Sequence, residues 1–347
     1  PKYTMKPADP WPALLAGTNA DHGPVRGDVL SRLVELIGAP LTAQLLRDPG
    51  VAEAEIAEAD ITQGRLLNRF RRADGLRWAR HARDHGIQVV CLKGLAAAHL
   101  YYDHADLRTM SDADLLVRTT DRDGLVDCFQ AAGLAFQPST GRSPWGHISD
   151  ASLLALSGPG RASNIDIHTH PDAWPLHLGL STDDVFAAAQ PLETSEGEIL
   201  VPSTTHMLLL SASHAARDLF GPSTAKSLID AALLLQRRGH QVDWDEFQDR
   251  MVKGRVEGPV RAFLALLERL GADLSSLPAH LRDDIRGSRR GCGRNSEFER
   301  AVEDYIAMFP DEPTMLARAR RELLLCAETA VALRRNWYRL RGLLRLG

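Results

Sequence analysis

Apolar residues recur at helical spacing over Val29, Leu30, Leu33, Leu36 and Ile37, stop at Gly38-Ala39-Pro40, and resume from about Ala52 to His85. In that second stretch Ile56, Ile61, Leu66, Leu67, Phe70, Leu76 and Trp78 form the stripe that predicts a long amphipathic helix. Gly86 ends it, as a glycine just past a helix commonly does. Residues 1–27, with prolines at positions 1, 7, 10, 12 and 24, read as an extended arm.

The period then changes. Ile87-Gln88-Val89-Val90-Cys91-Leu92 is a β-branched run and reads as a buried strand, followed at Lys93-Gly94 by a helical stretch from Leu95 to Tyr102. Ser111 to Val117 begins in alternation and ends apolar, predicting a second strand, with a helix from about Asp121 to Ala132 after it. Ser152 to Leu156 and Ser163 to His168 read as strands around the turn Gly158-Pro159-Gly160, and Glu198 to Val201 as a short one.

From Ser203 the pattern is helical: Thr204 to Phe220, Ser223 to Arg237, Trp244 to Lys253, Pro259 to Leu270, Glu297 to Met308 and Thr314 to about Leu346. Arg286 to Arg294 is rich in Gly and Arg without apolar anchors and is read as a mobile loop. The expected class is α+β: an arm (1–27), a helical element (28–85), a core with a small mixed β-sheet (86–201) and a helical C-terminal domain (202–347).

With 347 residues, 44% apolar and 25% charged, the chain is long enough for two or three modules and has the balance of a globular protein, which excludes a disordered or collagen-like chain. Its formal charge of −4 gives no overall attraction to nucleic acid or anionic lipid, so nucleic acid is not expected as a partner. Only five of its 41 basic residues are lysine, which makes the position of each informative. Four dispersed cysteines form no zinc-type spacing, and neither a signal peptide nor a membrane-length apolar run is evident; a cytoplasmic location is expected.

The chemistry concentrates at Asp112-Ala113-Asp114 and Asp166. Side chains two apart on a strand share a face, so Asp112 and Asp114 project together, and Asp166 projects with His168 opposite Ile165 and Ile167. Paired carboxylates repel unless a cation lies between them, and hard oxygen ligands suit Mg²⁺. The alternative for the D-x-D alone is a turn-capping Asp112 and a solvated Asp114. Lys93-Gly94, between a strand and a helix, brings bare backbone and a point charge to where an anion binds.

Taken together, Cys91-Leu92-Lys93-Gly94-Leu95-Ala96 through Tyr101, then Leu107-Arg108 and Ser111 to Val117, resemble the uncharacterised bacterial nucleotidyltransferase family of the DNA polymerase beta-like superfamily. Ile165-Asp166-Ile167-His168 is similar to its third-carboxylate strand, and His214 with Ser227 to Leu234 to its helical His and Asp-bearing helix; the likeness spans roughly 60–240. The wider superfamily usually has Gly-Ser or Gly-Gly where this chain has Gly94-Leu95. The resemblance implies a helix-flanked mixed sheet closed by a helical domain, with transfer of a nucleoside monophosphate to an acceptor hydroxyl or amine on a sugar, small molecule or peptide. It implies Mg²⁺ or Mn²⁺ on Asp112, Asp114 and Asp166, with Lys93, Gly94, Arg108, His168, His214 and Asp230 toward an NTP. A variant of the same fold takes the sugar of a nucleotide-sugar instead.

Four other features stay in view. His168-Thr169-His170 matches the H-x-H of zinc hydrolase barrels, although a barrel needs alternating strands and helices that are missing after Val201. His206 reads as a packed helical His, and Lys226 as an i,i+4 partner of Asp230 or a phosphate contact. The Arg-rich, amphipathic end of the chain reads as a terminal helix packed on its own domain, with an anionic partner as the alternative.

Overall fold

Among the described residues, seven strands join in one mixed sheet, in the order β3-β4-β5-β2-β1-β7-β6. They are β1 Val90–Cys91, β2 Asp112–Leu116, β3 Ala135–Phe136, β4 Leu156–Ser157, β5 Asn164–His168, β6 Gln190–Thr194 and β7 Gly197–Val201. The computed structural model describes Trp11, Leu15 and residues 27–45, 56–137, 155–292, 296–306, 314–323 and 329–344. At the centre, β2 runs antiparallel to β1 and parallel to β5, while β1 runs parallel to β7. This is an α+β fold and not a parallel barrel, so the hydrolase-barrel reading of His168 and His170 fails.

The helices before the core are α1 Gly27–Ile37, α2 Ala39–Leu45 and α3 Glu58–Asp84; α4 Lys93–Leu100, α5 Arg122–Ala131 and α6 Thr182–Ala187 lie within it. One face of β2 is covered by α3. Ala113 turns toward that helix, and a Cβ built on Gly75 would lie 2.7 Å from the Ala113 Cβ, so the close approach of α3 to the sheet needs glycine there. Behind it Trp78 and Phe129 pack edge to face at 4.8 Å, both buried, tying α3 to α5.

The rest is helical: α7 Thr204–Arg217, α8 Thr224–Arg238, α9 Trp244–Lys253, α10 Glu257–Arg269, α11 Ala279–Cys292, α12 Ser296–Ile306, α13 Met315–Arg321 and α14 Thr329–Leu344. α7 and α8 are apolar nearly all round, with Leu208, Leu209, Ala212, Leu228, Ile229 and Leu234 buried, because helices enclose them on several sides. Each such leucine contributes about 1.5–3 kcal/mol in transfer terms.

Several boundaries differ from the sequence reading. The strand expected over 87–92 keeps two ladder residues, with Leu92 N–H still donating to the Asp114 carbonyl at 2.9 Å. β3 and β6 were not expected: both lie at the sheet margins with largely exposed side chains, and Pro191 in β6 is tolerated because an edge strand need not donate on both sides. The loop expected over 286–294 is helical to Cys292, as the C-terminal part of α11; buried Leu281 and Ile285 anchor that helix, and 293–295 lie outside the described residues. The expected terminal helix is described as α13 and α14, with 324–328 outside the description. Of the arm, Trp11 and Leu15 are described, both helical and buried, and Trp11 packs edge-on to Tyr305; the other residues up to 26 lie outside it.

Candidate active site

Parallel pairing sets Asp112 opposite Asn164, Asp114 opposite Asp166 and Leu116 opposite His168. Asp112, Asp114 and Asp166 therefore share the sheet face turned away from Ala113 and α3. Asp114 is buried, and one of its oxygens, Oδ1, accepts from Lys93 Nζ at 2.6 Å and from His168 Nε2 at 2.7 Å. Burial alone would raise its carboxyl; Lys93 and His168 outweigh that and hold it well below the usual carboxylate range. His168 is itself pushed down, by burial and then by Lys93, so it is a neutral donor that orients Asp114.

Asp166 is in the opposite condition. Its Oδ1 is buried without a hydrogen-bond partner among the described residues, and burial followed by the charges of Asp114 and Asp112 pushes its carboxyl up to about 7. Ligand atoms of Asp114, Asp166 and His168 lie within 4.8 Å of one another. Asp112, half-buried, stands nearer the opening and accepts from Ser111 Oγ at 3.1 Å. Lys93 is the one lysine or arginine that ion-pairs with these carboxylates among the described residues, so the cluster lacks countercharge.

Lys93 has φ 47°, a left-handed conformation costing a non-glycine residue about 1–2 kcal/mol. This strained residue turns the chain from β1 into α4. At Gly94 a Cβ would meet Met110 Cβ at 3.5 Å and Arg108 Cζ at 3.8 Å, ordinary contacts that the fold would accept. A side chain there would instead occupy cleft space, since Gly94 lines the opening.

Across from the carboxylates, α7 and α8 close a cleft of about 200 Å³, bringing Ser211, His214, Lys226 and Ser227 to face Lys93, Asp112 and Asp114. Arg108 and Asp230 join its two walls: the guanidinium Nε and Nη2 donate to the two Asp230 oxygens at 2.8 and 2.7 Å, and Tyr102 Oη donates to Oδ1 at 2.7 Å. Nη1 of Arg108 donates to the Thr109 carbonyl, so this buried ion is fully paired. His214 accepts at Nδ1 from Arg217 at 2.6 Å, and Arg217 in turn donates to buried Asp172 at 3.0 Å. Burial, then Arg217 and Lys93, lower His214 to about 4, leaving it neutral.

Of the residues singled out in the sequence, Lys93, Gly94, Arg108, Asp112, Asp114, His214 and Asp230 line one cleft, with Asp166 and His168 beside Asp114 on the next strand. The expected Lys226–Asp230 ion pair does not form, because Arg108 and Tyr102 occupy Asp230. Lys226 has no ion pair among the described residues, and burial followed by Arg108 lowers its ammonium. His170 stacks on His177 at 4.9 Å and shares no ligand cluster with His168 among the described residues. His206 is buried on Glu246 at 3.1 Å, a packed histidine as its helical setting suggested. Tyr102, Ser211 and the Asp172–Arg217 pair were missed: Tyr102–Asp230 and Asp172–Arg217 cross from the core to the helical half, while Ser211 bonds to the Met207 carbonyl one turn back and reaches the cleft only through the packing of its helix, so no local pattern marks them.

The fold and cleft define an α+β protein in which a carboxylate-bearing sheet face meets a helical wall carrying Lys226, a lysine without an ion pair among the described residues. A family model described as "Uncharacterised nucleotidyltransferase" matches residues 64–272, more than half of the chain, and the chain belongs to that family. Among solved structures it is similar to an antigenic nucleotidyltransferase-like protein from Paracoccidioides brasiliensis, at 10% identity and TM-score 0.38 over 68% of this chain and 93% of that one. A likeness that distant supports no functional statement. No curated protein matches the chain.

Proposed function

We propose that this protein transfers a nucleoside monophosphate from an NTP to a hydroxyl or amine of a sugar, small molecule or peptide. The observation that carries the reading is the in-register convergence of Asp112, Asp114 and Asp166 on one sheet face, opposite Lys226. The donor set fits a hard divalent cation: Asp166 Oδ1 is an orphaned buried oxygen, and the carboxylates outnumber Lys93. Asp112, Asp114 and Asp166 would hold Mg²⁺ or Mn²⁺, which when bound neutralises triphosphate charge and stabilises the attacking and leaving oxygens.

The chain's own groups do the rest. His168 fixes Asp114 through its Nε2 hydrogen bond. Lys93 Nζ leaves Asp114 for a phosphate oxygen, and Gly94 lets the triphosphate come close to backbone. Lys226, without an ion pair among the described residues and partly desolvated, receives phosphate charge from the helical side. The other oxygen of the Asp166 carboxylate, Oδ2, takes the proton of the attacking hydroxyl as the acceptor oxygen bonds to the α-phosphorus. The bond from that phosphorus to the β-bridging oxygen breaks, and pyrophosphate leaves.

The test is incubation with each labelled NTP or nucleotide-sugar, Mg²⁺ and cell extract, reading pyrophosphate release and the mass of the labelled product. Asp112→Asn and Asp114→Asn should each abolish metal-dependent NTP binding and transfer. Label transfer without pyrophosphate release would point to a nucleotide-sugar donor. Full activity in the double variant would refute the carboxylate assignment.

A further inference from the structure

We propose a second metal site, on the sheet face opposite the cleft, in which His81, His85 and Cys128 bind one zinc ion that clips the end of α3 to α5. It is independent of the reading above: its ligands are soft where the cleft's are carboxylates. His81 lies in the last turn of α3 and His85 is its capping residue, one helical turn further on, so the two imidazoles share a face. Cys128 comes from α5, and ligand atoms of all three lie within 4.8 Å of one another.

Two details favour a ligand over a chance encounter. His85 Nδ1 lies 2.8 Å from the His81 carbonyl, an acceptor only, so it carries the proton and leaves Nε2 as a free lone pair. That is the outer hydrogen bond a metal-bound histidine typically makes. The His81 and His85 rings are 4.4 Å apart at their centroids, and His81 is backed by Trp78 at 5.3 Å, edge-on, which limits its swing. Nitrogen at about 2.0–2.1 Å and sulfur at about 2.3 Å from zinc place tetrahedral ligand atoms about 3.3–3.8 Å apart, so the ion would draw atoms that now lie within 4.8 Å closer by at most about 1–1.5 Å.

Two imidazoles and a thiolate select a borderline-soft ion over Mg²⁺, with the fourth position open to water. Burial holds the Cys128 thiol above its ordinary range in the metal-free chain. Binding replaces its proton with the metal, so each zinc bound releases one proton to the buffer. By crossing from α3 to α5 the ion braces the helix pair behind β2, and only the folded chain offers all three ligands together.

The experiment strips the full chain with a chelator and titrates it with Co²⁺, then Zn²⁺, recording the absorption spectrum. The expected result is a thiolate-to-cobalt charge-transfer band that saturates with one Co²⁺ at this site, any Co²⁺ on the cleft carboxylates giving no such band, that is lost on addition of Zn²⁺, and a higher melting temperature with zinc. Cys128→Ser should abolish the band and reduce the thermal shift. His85→Ala should weaken binding by about tenfold or more, since losing a ligand costs no less than losing its outer hydrogen bond. Because Asp114→Asn/Asp166→Asn should leave the band intact, failure of the carboxylate assignment would not affect this result. No thiolate band, a band that survives Cys128→Ser, or a thermal shift unchanged by Cys128→Ser would overturn the site, an adventitious ion on the histidine pair being the reading left. Circular dichroism of each variant, with Cys128→Ala as a second replacement, separates ligand loss from misfolding.

Discussion

Replacing Asp230 by alanine removes the carboxylate that ion-pairs with Arg108. Both residues are buried, at 5% and 8% exposure, and the guanidinium reaches Asp230 through two hydrogen bonds. Burial works against the Arg108 charge, and Asp230 outweighs it. Without Asp230 the cation keeps its desolvation cost and loses its partner, a change typically worth about 3–5 kcal/mol. Tyr102 also loses its acceptor in a buried setting, which places the expected cost toward the upper end. An unfolding entropy of about 2.1 cal/mol/K per residue converts this to a fall in Tm of about 4–7 °C for a chain of this length. Differential scanning calorimetry on the purified variants would measure it. Asp230→Leu/Arg108→Met, which removes both charges, should recover most of the loss, because an apolar pair of similar volume replaces a costly buried ion pair. A fall below about 1 °C in Asp230→Ala, or a double variant as unstable as the single one, would refute the buried-brace argument and leave Asp230 free to serve nucleotide directly.

Three further outcomes follow from the same geometry. Lys226→Ala should raise KM for the nucleotide severalfold in steady-state kinetics with Tm unchanged or slightly higher, since it removes a partly desolvated cation without an ion pair; an unchanged KM would exclude phosphate contact there. Gly75→Val should destabilise by about 1–3 kcal/mol through overpacking against Ala113, read by thermal unfolding, and an unchanged Tm would mean that α3 can lift off β2 freely. His99 is pushed down to about 4 by burial and then by Arg72, so the unfolded state binds the extra proton between about pH 4 and 6.5. Its contribution is complete above about pH 6.5 and is lost as pH falls toward 4; His99→Gln should flatten that part of the stability–pH curve, and an identical slope in both proteins would contradict it.

Much of the fold was legible because its signals are local. The breaks at Gly38 and Gly86, the helices over 204–217 and 244–253, and the strands bearing Asp112 and Asp166 all follow from spacing, and each has its counterpart in the structure. What misled was equally local. Arg286 to Arg294 lacks apolar residues, yet to Cys292 it continues a helix anchored upstream by Leu281 and Ile285, because propagating a helix costs far less than starting one. The edge strands β3 and β6 escaped notice because largely exposed strands carry little alternation.

By itself the sequence singled out the candidate carboxylates and the strand face each would take, since a two-residue period fixes Asp112 with Asp114 and Asp166 with His168. It left open how those strands meet and who neutralises whom. Parallel pairing of β2 with β5 sets Asp166 beside Asp114, and helix packing from far along the chain gives Asp230 to Arg108 and leaves Lys226 facing the cleft. Lys226 and Asp230 are neighbours on one helix turn, so spacing favoured their pairing. A buried guanidinium with two parallel hydrogen bonds competes better than a flexible surface-type i,i+4 pair, and only the tertiary fold brings it within reach.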